Sequence, residues 1–221
     1  MKILVLLGAP GAGKGTQAQM LAADLGMVHL ATGDLFRAAA REGTPLGLEA
    51  DAYMERGELV PDDVTTAMLL ERLGRPDAAA GAILDGFPRT RAQAEALDAA
   101  LAVGHGAVGA AITLDVPTER LVERLTGRYI CAAAGHVYNV ATRQPRVPGI
   151  CDEDGSELVQ REDDKPETVR ARLFAQMDAL DEVVGYYAER GILVAIDGDR
   201  PVDEIAADVA AMARVRLEAT V

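Results

Sequence analysis

The sequence predicts an α/β fold in which a parallel sheet of about five strands is flanked by helices. Short apolar runs alternate with longer segments rich in Ala, Leu, Glu and Arg along most of the 221 residues. Such alternation is typical of right-handed crossover units, in which a helix returns the chain between neighbouring parallel strands. A chain of this length forms one core with room for inserted lobes.

The predicted strands are continuous apolar runs, as expected for strands that are buried on both faces of a sheet. They cover residues 3–7, 28–31, 82–84, 110–114 and 192–196. Helix starts are indicated by Pro61, Pro117 and Pro201, because proline is favoured in the first helical turn. Asp164 with Glu167 predicts a capped helix that runs to about Arg190.

Two stretches depart from this alternation. Residues 31–60 are helical in pattern but contain no strand of their own, whereas residues 127–164 are rich in Gly, Pro, Val and charges. The first stretch is therefore expected to form a small helical lobe, and the second a flap of short strands. The core would comprise residues 1–30, 61–126 and 165–221.

Composition and charge restrict the classes of function. The net charge of −13 argues against a broad nucleic-acid-binding face, which needs clustered Lys and Arg. No run approaches the roughly 20 apolar residues of a membrane span, and the apolar run at 3–7 is too short for a secretion signal. We therefore expect a soluble cytoplasmic protein with a small ligand. If that ligand is a phosphate, basic residues must be concentrated around it.

A glycine-rich segment between the first strand and the following helix carries the strongest functional signal. It reads Gly8-Ala9-Pro10-Gly11-Ala12-Gly13-Lys14-Gly15-Thr16. Glycines allow the backbone to wrap around a phosphate, the helix N-terminus presents N–H groups to it, and Lys14 would reach the transferred end of a triphosphate. A hydroxyl residue usually follows the lysine directly, but here Gly15 intervenes and Thr16 would make the hydroxyl contact.

A second motif ends the third predicted strand and reads Asp85-Gly86-Phe87-Pro88-Arg89. The ends of neighbouring parallel strands meet at one edge of the sheet, so Asp85 would lie beside the phosphate loop and hold the water shell of Mg²⁺. Arg89 would lie in the same crevice. These two motifs together indicate a P-loop nucleotide-binding core.

Together these motifs make the chain resemble the adenylate kinase family, in its bacterial long-lid form, over essentially its whole length. The remaining motifs of that family are present as Thr32-Gly33-Asp34-Leu35-Phe36-Arg37, Gly57-Glu58-Leu59-Val60-Pro61, Thr90 with Gln93, Arg124, Gly127-Arg128, Val137-Tyr138, Arg161, Asp163-Asp164 and Arg172. The resemblance implies a monomer that transfers a phosphoryl group directly from MgATP to AMP, giving two ADP. It also implies that 31–60 is an AMP-binding lobe and 127–164 a lid.

The resemblance further implies roles for individual residues. The ATP-binding residues would be Gly11, Ala12, Gly13, Lys14, Gly15, Thr16, Arg124, Arg128, Val137, Tyr138 and Arg200. The AMP-binding residues would be Thr32, Arg37, Glu58, Leu59, Val60, Gly86, Arg89, Gln93, Arg161 and Arg172, with Thr32 and Gln93 near the adenine. The catalytic residues would be Lys14, Arg37, Arg89, Arg124, Arg128, Arg161 and Arg172. Asp34 and Asp85 would serve the Mg²⁺.

Several of these residues have alternative interpretations. Thr90 and Gln93 also fit a helix capping box, Asp34 a turn or cap residue, and Arg172 a solvated helix charge. His29 and His105 are expected to be structural. The acceptor could be another nucleoside monophosphate, and the chain could instead be a slowly hydrolysing nucleotide switch or a non-catalytic nucleotide-binding module.

The lid region contains an incomplete metal motif. Some members of the family bind structural Zn²⁺ there through Cys-x₂-Cys and a later Cys-x₂-Cys or Cys-x₂-Asp. Cys131, Cys151 and Asp154 occupy three of these positions, but Ala134 occupies the fourth, and His136 could replace it. Structural zinc normally takes four ligands. A zinc site, a metal-free lid and a disulfide between the two cysteines all remain open.

Overall fold

The computed structural model describes residues 1–104 and 106–219, so His105 lies outside the described residues. The strands are β1 Lys2–Leu7, β2 Val28–Ala31, β3 Ala82–Asp85, β4 Ala107–Asp115, β5 Arg128–Cys131, β6 Val137–Asn139, β7 Leu158–Val159 and β8 Leu193–Asp197. The helices are α1 Lys14–Leu25, α2 Thr32–Arg41, α3 Pro45–Glu55, α4 Asp62–Leu73, α5 Arg91–Val103, α6 Thr118–Thr126, α7 Pro166–Glu189 and α8 Val202–Ala219.

The predicted α/β fold is confirmed. The main sheet is parallel, has five strands in the order β2-β3-β1-β4-β8, and contains every strand predicted from the apolar runs. Its central strand β1 is buried on both faces. Leu4 and Leu6 belong to one apolar cluster, whereas Ile3, Val5 and Leu7 belong to the cluster on the other face. This explains why the run is continuously apolar.

Strand β1 lies between β3 and β4 in the sheet. The chain continues from β1 to β2 on one side, and after β3 it crosses to β4 on the other side. Ligands of such sheets bind at the carboxyl ends of the strands, at the point where the strand order diverges. The two stretches that depart from the alternation, residues 31–60 and 127–164, follow the end of β2 and the end of α6 in the chain. Helices α2 and α3 share a small core of Phe36, Ala50 and Val60. Strands β5, β6 and β7 form an antiparallel sheet with its own core, which contains Cys131, Tyr138, Cys151 and Leu158.

The helix starts predicted from Pro61, Pro117 and Pro201 are confirmed, because each proline is the residue just before a helix, α4, α6 and α8 respectively. The capping box predicted at Asp164 is wrong, because α7 follows Lys165 and Asp164 lies in a short 3-10 turn. Asp164 is fully buried and accepts from Arg128 and Arg172, so its oxygens are committed to charged donors and do not cap the helix.

Among the described residues, no helix combines the length and apolar content that crossing a membrane requires.

Candidate active site

The glycine-rich segment forms a loop between β1 and α1. Gly13 immediately precedes α1 with φ of 95°, a left-handed conformation that glycine adopts without strain. The Lys14 ammonium folds back over the loop and donates to Gly8 O at 2.7 Å and Ala9 O at 3.0 Å. The first N–H groups of α1 lack intrahelical partners, so the loop offers backbone donors and a cation to an anion.

Asp85 lies against the start of α1, as its position after β3 predicts. A Cβ atom on Gly15 would lie 3.2 Å from Asp85 Oδ2, so a larger side chain there would crowd the carboxylate. This contact accounts for the glycine that separates Lys14 from Thr16. Burial raises the pKa of Asp85, but neighbouring His29, Lys14 and Arg89 outweigh it and hold the pKa below its usual value. The carboxylate is therefore ionised at neutral pH.

A cavity of about 730 Å³ opens at this edge of the sheet. The nucleotide-site residues expected from the sequence all line it: Gly11, Ala12, Gly13, Lys14, Gly15, Thr16, Thr32, Asp34, Arg37, Glu58, Leu59, Val60, Asp85, Gly86, Arg89, Gln93, Arg124, Arg128, Val137, Tyr138, Arg161, Arg172 and Arg200. Basic groups are thus concentrated in one place on an acidic protein, as a phosphate ligand requires.

The arginines around the cavity divide by the charge of their partners. Arg128 forms a bidentate salt bridge with Asp164, with hydrogen bonds of 2.7 and 2.5 Å. Arg172 forms salt bridges with Asp163 at 3.1 Å and with Asp164 at 3.2 Å. Arg89 instead donates to neutral oxygens, through Nε to Gly86 O at 2.8 Å and through Nη1 to Gln176 Oε1 at 3.0 Å.

Arg161 also retains unmatched donor capacity, because its buried Nε has no hydrogen-bond partner among the described residues. Its Nη2 lies 3.7 Å from Asp34 Oδ1, which accepts from Arg37 at 2.6 Å. Burial lowers the pKa of both Arg89 and Arg161 to about 10, which leaves each guanidinium charged at neutral pH. Arg89 and Arg161 are therefore the arginines best prepared to take a phosphate as partner.

The match to known proteins covers nearly the whole fold. A family model described as Adenylate kinase matches residues 6–192. The chain belongs to the adenylate kinase family. The adenylate kinase of Exiguobacterium sibiricum is 51% identical over 209 residues, which is 95% of this chain and 97% of that protein. The adenylate kinase of Bacillus subtilis is 48% identical over 206 residues, covering 93% and 95% of the two chains. That of Thermodesulfovibrio yellowstonii is 52% identical over 202 residues, covering 91% and 94%.

Some of the residues that are expected to bind a nucleotide already have protein partners in the structure. Arg124 donates to Gly198 O at 3.0 Å and to Asp199 Oδ1 at 3.1 Å. Arg200 donates to Asp208 Oδ2 at 2.6 Å. Tyr138 is 1% exposed, and its hydroxyl accepts from Asp152 N at 2.8 Å. These groups would have to exchange or share partners to contact a nucleotide.

Sequence reasoning missed Gln176 and Asp62 and gave His29 no partner. Gln176 on α7 joins Arg89 to Gly57 O, to which its Nε2 donates at 3.1 Å. His29 Nε2 lies 3.5 Å from Asp85 Oδ2. Asp62 accepts from Thr90 Oγ1 and from Gln93 Nε2, each at 2.7 Å. The spacing of Gln176 one helical turn after Arg172 is a signal that could have found it.

Gln93 follows a capped helix start, as one interpretation of its spacing from Thr90 predicts, and its place beside an adenine stays a prediction. Its backbone N donates to Thr90 Oγ1 at 3.2 Å, as in a capped helix, and its side chain lines the cavity. Its side-chain oxygen accepts from Arg89 N at 2.8 Å, one residue before the position that a capping box uses.

The cysteines of the small sheet are free thiols that lie beside His136 and Asp154. The four potential ligand atoms all lie within 4.8 Å of one another. Cys131 Sγ is 3.0 Å from Asp154 Oδ2, and His136 Nδ1 is 3.3 Å from Cys151 Sγ. His136 thus occupies the space that Ala134 leaves without a ligand.

The ammonium of Lys14 predicts a pH dependence of triphosphate binding. Burial, opposed by Asp85 and reinforced by nearby arginines, lowers the pKa of Lys14 to about 8 in the free protein. Bound phosphates would raise that pKa again, so affinity should be constant below about pH 8. Above it, the dissociation constant should rise by up to about tenfold per pH unit, because binding must then take up a proton.

This dependence can be measured by calorimetric titration with MgATP from pH 6.5 to 9.5, without a second nucleotide. Lys14→Met should remove the rise above pH 8 as well as weakening binding throughout. An affinity that stays flat to pH 9.5 in the unaltered protein would contradict the lowered pKa.

Proposed function

We propose that this protein transfers the terminal phosphoryl group of MgATP reversibly to AMP, giving two ADP, by direct in-line transfer. The observation that carries the proposal is the shared cavity, which brings the glycine-rich loop and Lys14 together with two underused arginines. Arg89 pairs with no carboxylate of the described residues, and the buried Nε of Arg161 has no hydrogen-bond partner among them. Phosphoryl transfer needs little covalent participation by the protein, so positioned positive charge supplies most of the rate.

Donor binding is assigned to the glycine-rich loop and to Lys14. The loop amides would hold the phosphates, and the Lys14 ammonium would exchange its contacts with Gly8 O and Ala9 O for phosphate oxygens. Arg124, Arg128 and Arg200 would add charge from the side of α6 and α8. Charge-assisted contacts of this kind are the stronger class of hydrogen bond.

Acceptor binding is assigned to the arginines with the least matched charge. Arg89 and Arg161 would hold the AMP phosphate, since their present partners leave their charge largely unmatched. Arg37 and Arg172 would complete this phosphate site. Thr32 and Gln93 would lie beside the adenine.

Asp85 fits a role in holding Mg²⁺, because its ionised carboxylate lines the cavity next to Lys14. Asp34 also lines the cavity, although it pairs with Arg37. Mg²⁺ bound with ATP would neutralise negative charge on the phosphates during transfer. The protein's part is to supply the carboxylates that hold its water shell.

We further propose that residues 31–60 form an AMP-binding lobe and residues 127–164 a lid, and that both close over the nucleotides. Closure would exclude water, so that the acceptor phosphate outcompetes hydrolysis. Opening would then limit turnover. A monomeric, cytoplasmic enzyme is the form that this proposal assumes.

We also propose that the lid binds one structural Zn²⁺ through Cys131, His136, Cys151 and Asp154. Metal–ligand bonds of about 2.0–2.3 Å in a tetrahedron place donor atoms roughly 3.3–3.8 Å apart. Three of the six separations among the ligand atoms, 3.0, 3.3 and 3.7 Å, fall in or close to that range, and all six are within 4.8 Å. Zn²⁺ would cross-link the loops at the ends of β5 and β6 to the chain that precedes β7.

Protein purified without chelator should contain about one zinc per chain by elemental analysis. His136→Ala should lower that content severalfold and lower the thermal midpoint, whereas Asp152→Asn, in the same lid but outside the ligand set, should retain the metal. Negligible zinc in the unaltered protein would refute the site.

Transfer itself can be tested with ATP labelled at the γ-phosphate. Incubation with AMP should place the label in the β-phosphate of newly formed ADP, with none attached to acid-quenched protein. Label released mainly as inorganic phosphate would instead indicate a nucleotide hydrolase or switch, and labelled protein would exclude direct transfer.

A further inference from the structure

The side-chain amide of Gln93 is held in one orientation by two groups of opposite hydrogen-bonding character. Its Oε1 accepts from Arg89 N at 2.8 Å, and its Nε2 donates to Asp62 Oδ1 at 2.7 Å. A backbone N–H can only donate and a carboxylate can only accept. Rotating the amide by 180° would therefore face donor with donor and oxygen with oxygen. Gln93 is 2% exposed, so water cannot readily replace either partner.

Asp62 lies outside the cavity and is held in place by a hydrogen bond from Thr90. It is the first residue of α4 and does not line the cavity. Its second oxygen, Oδ2, accepts from Thr90 Oγ1 at 2.7 Å. The same Thr90 oxygen accepts from Gln93 N at 3.2 Å and so caps α5. Asp62 can therefore act on a bound nucleotide only through Gln93.

The locked amide retains hydrogen-bonding capacity for a base. A glutamine side chain has two N–H donors and two lone pairs on its oxygen, and Asp62 and Arg89 use one of each. One donor and one acceptor remain, in fixed places. Adenine presents an amino donor beside a ring-nitrogen acceptor, whereas guanine presents a carbonyl acceptor beside a ring N–H. If the Gln93 amide is oriented to fit adenine, its oxygen would face the carbonyl oxygen of guanine. It could pair with guanine only after its side-chain amide rotated by 180°.

We propose that Asp62 is a positioning residue that makes the acceptor site select adenine over guanine, by preventing the Gln93 amide from turning over. This inference rests on the proposed function, in which AMP is the acceptor and Gln93 lies beside its base. It adds a determinant of selectivity that does not touch the nucleotide. Sites built on satisfied polar groups discriminate strongly, because the wrong partner leaves those groups unpaired.

The test compares kcat/KM for AMP with kcat/KM for GMP in Asp62→Leu and Asp62→Asn. Leucine has a similar branched shape but offers no acceptor to Gln93 Nε2. The AMP-to-GMP ratio should fall by about tenfold or more, the range that one bidentate amide-to-base contact supplies. The change should lie mainly in KM for the monophosphate, with KM for MgATP unchanged. Asp62→Asn should keep most of the original ratio, because its carbonyl oxygen can still accept from Gln93.

A purely structural role for Asp62 predicts a different result. If the residue only joins α4 to α5, Asp62→Leu should lower the thermal midpoint and reduce turnover of both acceptors together. An unchanged ratio in Asp62→Leu would overturn the proposal. Should that variant not fold, Asp62→Ala removes the same acceptor without adding a branched side chain and carries the same expectation.

The two proposals fail in different ways. The unaltered protein is assayed first, and absence of transfer to AMP would contradict the proposed function itself. Transfer to AMP with an AMP-to-GMP ratio that Asp62→Leu leaves intact would contradict only the role of Asp62.

Discussion

Replacement of Lys14 by Met should lower the rate of phosphoryl transfer by at least about a hundredfold to a thousandfold, the loss typical of removing one preorganised charge from a phosphoryl or oxyanion site. Met has similar length but carries no charge. The loss should appear in kcat as well as in kcat/KM, because the charge is needed most when the transferring group develops negative charge.

The fold should survive this substitution. The pKa of Lys14 is about 8 in the folded protein, below its unfolded value, so burial of the charged form opposes folding at neutral pH. The thermal midpoint of Lys14→Met should therefore be no lower than that of the unaltered protein. Lys2→Met is a suitable control, because Lys2 donates a hydrogen bond to Leu217 O at the exposed surface. This variant should have the activity of the unaltered protein. Near-normal activity of Lys14→Met would show that the phosphate loop is wrongly assigned.

Replacement of Arg89 by Lys should lower kcat/KM for AMP by about a thousandfold, although the positive charge is kept. The guanidinium is aimed by Gly86 O and Gln176 Oε1, and no carboxylate of the described residues pairs with it. A lysine ammonium lacks the planar set of donors of a guanidinium. It cannot keep these contacts and also bind a phosphate in a bidentate manner.

Arg91→Lys provides the matched control. Arg91 lies two residues further on, at the start of α5, and its Nε donates to Glu95 Oε1 at 3.0 Å on the exposed face. That variant should retain normal kinetics, and neither variant should change KM for MgATP by much. If Arg89→Lys behaves like Arg91→Lys, Arg89 does not hold the acceptor phosphate.

The strands and the phosphate loop of this molecule could be predicted from sequence, because each depends on residues that are close together in the chain. Apolar runs such as residues 3–7 identify buried strands because burial on both faces excludes polar residues. The glycine-rich loop is recognisable because close backbone approach to a phosphate needs glycines at fixed offsets. Family resemblance extended this to the arginines, which the structure gathers around one cavity.

The remainder depends on contacts between distant segments. Gln176 and Arg89 are 87 positions apart, and Gln93 and Asp62 are 31 apart. In sequence, an aspartate in a first helical turn is indistinguishable from a solvated residue. The spacing of Gln176 after Arg172 indicates a shared helix face, but it does not indicate Arg89 as the partner. Asp164 was mistaken for a helix cap for the same reason, since only the fold brings Arg128 and Arg172 to it.

The most direct test of the account is ADP formation from MgATP with AMP, GMP, UMP or CMP as the acceptor, alongside a reaction without acceptor. The account predicts rapid ADP formation with AMP, much slower formation with the other monophosphates, and negligible hydrolysis without an acceptor. ADP formation that is equally fast without any acceptor would contradict it, because the cavity would then serve hydrolysis and not transfer.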